Sequence, residues 1–227
     1  MTPDERACVA RHWLTSALGE HASVAAFARF VLHLMSLGAP PGLLQDSIRA
    51  MEDEVEHARL SFGLARKFSG EAVGPGPMDL ASVLAQPIDP ASILTAAIIE
   101  GCFEETISAR YAAVALDRAE DANVRDVLTR IVADELTHAD LSWRFVKWML
   151  EVHPELAATA EGCFLRGLLA PETAAEEPDL PILEKYGHLR PATKRKVRQE
   201  TIRHEIAQRI VTILGHDPRV SMLTPLL

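Results

Sequence analysis

The pattern Glu-x-x-His occurs twice in the chain, as Glu54-Val55-Glu56-His57 and as Glu135-Leu136-Thr137-His138. Positions three apart on a helix share a face, so each pattern presents a carboxylate and an imidazole together. One match in 227 residues with 9 histidines is expected by chance. The longer context is not: Asp53-Glu54-x-x-His57-Ala58-x-Leu60-Ser61-Phe62 recurs as Asp134-Glu135-x-x-His138-Ala139-x-Leu141-Ser142-Trp143. Each repeat also has a glutamate upstream, Glu20 standing 34 residues before Glu54 and Glu100 standing 35 before Glu135. Four glutamates and two histidines combine hard oxygen donors with imidazole, which suits two iron or manganese ions with carboxylates shared between them. Zinc fits less well with so many carboxylates and no thiolate.

Long helices must position these groups. Thr2-Pro3-Asp4-Glu5 offers an N-cap, a proline at the first helical position and a glutamate at the third, and no breaker follows until Gly38-Ala39-Pro40-Pro41. Pro41 opens a second helix running to about Phe68, before Ser69-Gly70 and Gly74-Pro75-Gly76-Pro77. After a loop of some twenty residues, Asp89-Pro90 starts a third helix ending near Arg118, and Asp121 caps a fourth that Pro154 stops. Two tight hairpins joined by a long crossover outline an all-α four-helix bundle over residues 1–153. Residues 154–227 form a C-terminal extension packed on it, less regular at first, with a Pro- and Glu-rich loop from Pro171 to Pro181 and a basic helix from Pro191 to Leu214 closed by Gly215.

Apolar periodicity puts the chemistry on buried faces. The stripe Val9, Trp13, Ala17, Glu20, Val24, Phe27, Val31, Leu34 contains Glu20, and Met51, Glu54, His57, Ser61, Leu64 contains the first pair. On the third helix Ile93, Ala97, Glu100, Glu104, Ile107, Tyr111, Val114 holds two glutamates, and on the fourth Leu128, Ile131, Glu135, His138, Ser142, Phe145, Met149 holds the second pair. Five buried carboxylates are prohibitive as free ions, and polyvalent cations offset that cost. Glu104 lies one turn below Glu100, while Glu105 turns inward only if a π-bulge intervenes, so the third helix has a surplus of carboxylates.

Composition narrows the function classes. With 32 acidic and 23 basic residues the formal charge is −9, which argues against a general affinity for nucleic acid or anionic membrane. The cluster Lys194-Arg195-Lys196-Val197-Arg198 stands without interleaved aromatics and reads as a solvated helix face. Cys8, Cys102 and Cys163 are far apart, which excludes a disulfide framework and a rubredoxin-type iron centre and suggests a reducing, cytoplasmic setting. The most apolar stretch, Ala22 to Ala39, is interrupted by Arg29 and His33, so neither a signal peptide nor a membrane span is expected.

These residues resemble the ferritin-like superfamily of di-iron carboxylate proteins, which includes ferritins, rubrerythrins, ribonucleotide reductase small subunits and bacterial multicomponent monooxygenases. The resemblance covers roughly residues 5–150. It implies a ferritin-like bundle binding two iron ions, or manganese or a mixed pair, through Glu20, Glu54, His57, Glu100, Glu135 and His138. Glu54 and Glu135 would bridge the metals, with Glu20 and Glu100 more terminal. Asp134 would orient His57 and Asp53 would orient His138. The missing cysteine pair departs from rubrerythrins, and the long C-terminal segment departs from ferritin subunits. The implied activity is oxidation driven by O2 or peroxide, with an external electron donor and a small organic substrate. The alternative is a ferroxidase or peroxidase, or an iron-storage or assembly protein without such a substrate. Glu104, Glu105 and Tyr111 are the candidates for roles in catalysis, and a homodimer is compatible with this reading.

Overall fold

The computed structural model describes residues 1–85, 87–170 and 179–221. Every regular element among them is helical. None of these helices is long and apolar enough to cross a membrane. In chain order they are α1 (Pro3–Ser36), α2 (Pro41–Ser69), α3 (Ala81–Leu84), α4 (Pro90–Ala96), α5 (Thr106–Arg118), α6 (Ala122–Val152), α7 (Ala157–Leu169), α8 (Ile182–Lys185), α9 (Pro191–Thr201), α10 (Ala207–Leu214) and α11 (Pro218–Ser221). A π-helical stretch, Ala97–Glu105, joins α4 to α5, and a second, Ile202–Ile206, joins α9 to α10.

Local chemistry sets the ends. Thr2 Oγ1 accepts from the Glu5 amide at 3.2 Å while the Glu5 carboxylate accepts from the Thr2 amide at 2.7 Å, a reciprocal cap at the start of α1. The α2 helix stops at Gly70, whose φ of 80° suits glycine and whose amide bonds back to Arg66 at 2.8 Å. Asp89 caps α4 through the Ser92 amide at 3.0 Å. Asp121 caps α6 through the Asn123 and Val124 amides at 3.0 and 3.2 Å.

Chain contacts gather the described residues into two units. The first holds 1–85, 112–134 and 179–190, built on the α1–α2 hairpin. Segment 179–190 is stapled within this unit. Trp13 Nε1 donates to the Tyr186 carbonyl at 2.9 Å, Arg118 meets Glu184 at 2.6 Å, and Lys185 meets Glu120 at 3.0 Å. Gly187 has φ of 90°, and a Cβ there would lie 2.8 Å from Trp13 and Val124, so the turn needs glycine for conformation and space.

The second unit holds 87–111, 135–170 and 191–221. Its core includes Phe103, Phe145 and Phe164, with Trp143 stacked on Phe164 at 5.8 Å between centroids. Arg209 lies over the Trp143 ring at 5.7 Å.

The structure corrects the sequence reading in three places. The stretch after Pro154, read as less regular, is a 3-10 turn followed by α7. The twenty-residue connection contains α3. The third and the C-terminal helices are not uniform α-helices, because each contains a π-helical stretch. The loop expected from Pro171 to Pro181 lies outside the described residues over 171–178.

Candidate metal centre

His57, on the inward face of α2, has no solvent exposure. Its Nε2 lies 3.1 Å from Oδ2 of Asp134 on α6. An ionised carboxylate only accepts, so Nε2 donates this hydrogen bond and Nδ1 is the nitrogen left to face the other side chains. That nitrogen stands 4.0 Å from Glu20 and 3.8 Å from Glu54, both carboxylates, at separations too long for hydrogen bonds. These side chains bring imidazole and carboxylate donors to one volume, where a cation can be held.

Asp134 is held in turn. It accepts from Arg130 Nε at 2.7 Å, and Arg130 Nη2 also lies 3.5 Å from Asp53. Burial works to raise the Asp134 carboxyl, but the hydrogen bonds and charges of Arg130 and His57 outweigh it and keep it below the ordinary aspartate value. Arg130, one turn before Asp134, was not singled out from the sequence. The i, i+4 spacing of an arginine and an aspartate was its only signal.

Two sets of four ligand atoms each lie within 4.8 Å of one another: Glu20, Glu54, His57 and Glu135 in one, and Glu54, Glu105, Glu135 and His138 in the other. Glu54 and Glu135 belong to both. Glu54, His57, Glu135 and His138 are almost fully buried, at 1, 0, 5 and 1% exposure. Carboxylate and imidazole donors gathered this closely, most of them buried, suit a bound cation. The donor types fit a hard or borderline cation.

The third helix differs from its sequence reading. Glu100 is exposed and stands in neither set, and Glu104 is exposed and paired with Arg198 at 3.2 Å. Glu105 supplies the carboxylate beside Glu135 and His138. The cause is the π-helical stretch Ala97–Glu105, which spreads each turn over more residues and so advances the buried face in steps of four, from Ala97 to Gly101 to Glu105. Gly101 marks the facing: a Cβ there would collide with Ser142 Oγ and lie 2.7 Å from Ser142 Cβ. Ser142 Oγ bonds the His138 carbonyl one turn earlier, so Glu105, one turn beyond Gly101, comes to the level of His138. Thr106 closes the stretch, accepting from Trp143 Nε1 at 3.1 Å and donating to the Cys102 carbonyl at 2.7 Å.

Tyr111 is half-buried and belongs to neither set, while Trp13 serves the core of the first unit. Cys102 is fully buried, and burial pushes its thiol well above the ordinary value, which suits a packing residue. No protein-family model matches the chain, and neither does any curated protein or solved structure.

Proposed function

We propose that the chain is a ferritin-like dinuclear metal protein, with its four long helical segments arranged as a bundle, and that it works as a di-iron oxidoreductase. The observation that carries this reading is the sharing of Glu54 and Glu135 by two ligand sets that each add one histidine and one further glutamate. A mononuclear site needs one such set, and a hydrogen-bonded polar core needs no duplicated ligands with two in common.

Each residue then has a definable task. Glu54 and Glu135 would contribute charge to both ions, His57 and His138 would each hold one, and Glu20 and Glu105 would complete the sets. Asp134 orients the His57 ring, and Arg130 helps hold Asp134 in its ionised form. The iron pair, when bound, would supply the electrons for reducing O2 or peroxide, and manganese or a mixed pair could take the same donors. The protein supplies geometry and a dry surrounding, and an external reductant is required for turnover. The C-terminal helices cover part of the second unit, which favours a shaped site and a small organic substrate over open mineral storage.

Metal analysis after anaerobic Fe(II) loading, followed by O2 exposure with optical spectroscopy, tests this. Two irons per chain and an absorption change coupled to oxygen consumption are expected. Retention of many irons per chain would replace the enzyme reading with storage, and one iron or none would remove the dinuclear centre.

A further inference from the structure

Glu100, Glu104 and Glu105 all lie in the π-helical stretch, yet only Glu105 joins the ligand sets. Glu104 and Glu105 are neighbours, so their side chains leave the helix in different directions and only one can face Glu135 and His138. Arg198 on α9 holds the other. Its two terminal nitrogens donate to the Glu104 carboxylate at 3.2, 3.3 and 3.4 Å, and the Arg198 side chain is largely buried while Glu104 lies at the surface.

Further contacts brace the same stretch from the C-terminal side. The two π-helical stretches touch, and Arg110 on α5 meets Glu205 of the second at 2.6 Å. Phe103, in the middle of the first stretch, presses on Gly167 of α7 so closely that a Cβ there would collide with its ring. Glycine at 167 thus gives Phe103 its place, and the planar fork of Arg198 gives Glu104 its direction.

We propose that Arg198 is a positioning residue of the metal centre: by tethering Glu104 to α9 it sets the rotation of the π-helical stretch that presents Glu105, and not Glu100 or Glu104, as the ligand. The proposal rests on the dinuclear reading above. It gives the C-terminal extension a defined task, the choice among three competing carboxylates. A lysine at 198 keeps the charge but not the fork, so it should perform the task only in part.

Co(II) titration of the metal-free protein, followed by calorimetry and by the visible absorption of bound Co(II), tests the tether without using turnover. The wild type should take up two ions. Arg198→Ala should weaken the more loosely bound ion about tenfold, the lower end of the effect of lost outer partners on metal affinity, and Arg198→Lys should recover part of that loss. Glu104→Gln should reproduce the loss from the other side of the link, and combining it with Arg198→Ala should add little. The decisive comparison is Glu105→Ala, which should weaken binding strongly in the wild type but much less in the Arg198→Ala background. A wild-type isotherm for Arg198→Ala, or fully additive effects with Glu105→Ala, would overturn the proposal while leaving the dinuclear centre intact. Uptake of fewer than two ions by the wild type would overturn both.

Discussion

The proposed centre should depend most on Glu54 and Glu135, because each lies in both candidate ligand sets. Glu54→Ala or Glu135→Ala should reduce bound metal from two ions to one or fewer per chain. The metal-free fold should survive, since each change removes a buried charge whose desolvation is unfavourable without cations. Elemental analysis with circular dichroism on the same samples checks this, and two ions retained by both variants would refute the shared-ligand arrangement. His57 shows how a single side chain links two levels of the design: one nitrogen is committed to Asp134, and the other stands beside Glu20 and Glu54.

At the level of elements, the caps and close approaches are the sensitive points. Asp121 caps α6 and pairs with Lys67 of α2 at 2.6 Å. Burial works to raise its carboxyl, but the Lys67 bond and charge and the capping amides outweigh it and hold the group below the ordinary aspartate value. The stability it supplies is therefore present above the unfolded aspartate pKa of about 4 and is lost as pH falls through the lower folded value. Asp121→Ala should cost about 1 kcal/mol at pH 7, a fall of about 2 to 4 °C in melting temperature. The gap between mutant and wild type should narrow as pH falls below the unfolded aspartate value and close once the lowered folded value is passed. A gap independent of pH would mean that the charge of Asp121 contributes nothing. Gly101→Ala tests the approach of the π-helical stretch to α6. An alanine at a helix interior normally stabilises relative to glycine, but here its Cβ meets Ser142, so a loss of about 1 to 3 kcal/mol is expected, with weaker metal binding. A stabilised variant with full metal content would show that the contact relaxes freely.

For the whole molecule, ion binding and folding should be coupled, because the ligands come from α1, α2, α6 and the π-helical stretch and no short segment holds a complete set. At metal concentrations a thousandfold above the dissociation constant, binding adds about 4 kcal/mol, or roughly 8 to 16 °C in melting temperature for a chain of this size. Calorimetric scans before and after chelation should show that difference, and Glu54→Ala should abolish it; equal transitions in all three samples would disconnect the centre from the fold. The repeated Glu-x-x-His, the upstream Glu20 and the limits of α1, α2 and α6 were legible in the sequence, because caps, prolines and i, i+3 spacing act within a few residues and need no distant partner. The third helix was legible only in its ends. On the α period its buried face takes Glu100 and Glu104, with Glu105 admitted only through a π-bulge; contacts with Ser142, Gly167 and Arg198, distant along the chain, accompany the wider turn that turns Glu105 inward. The α7 helix was missed for a related reason: it buries Ala160, Cys163 and Phe164 against partners that no local pattern announces. The types and spacing of the candidate ligands were thus decided by the sequence alone, and the choice among adjacent carboxylates by tertiary packing, since a helix can rotate a side chain by one position at little local cost but only one rotation fits its neighbours.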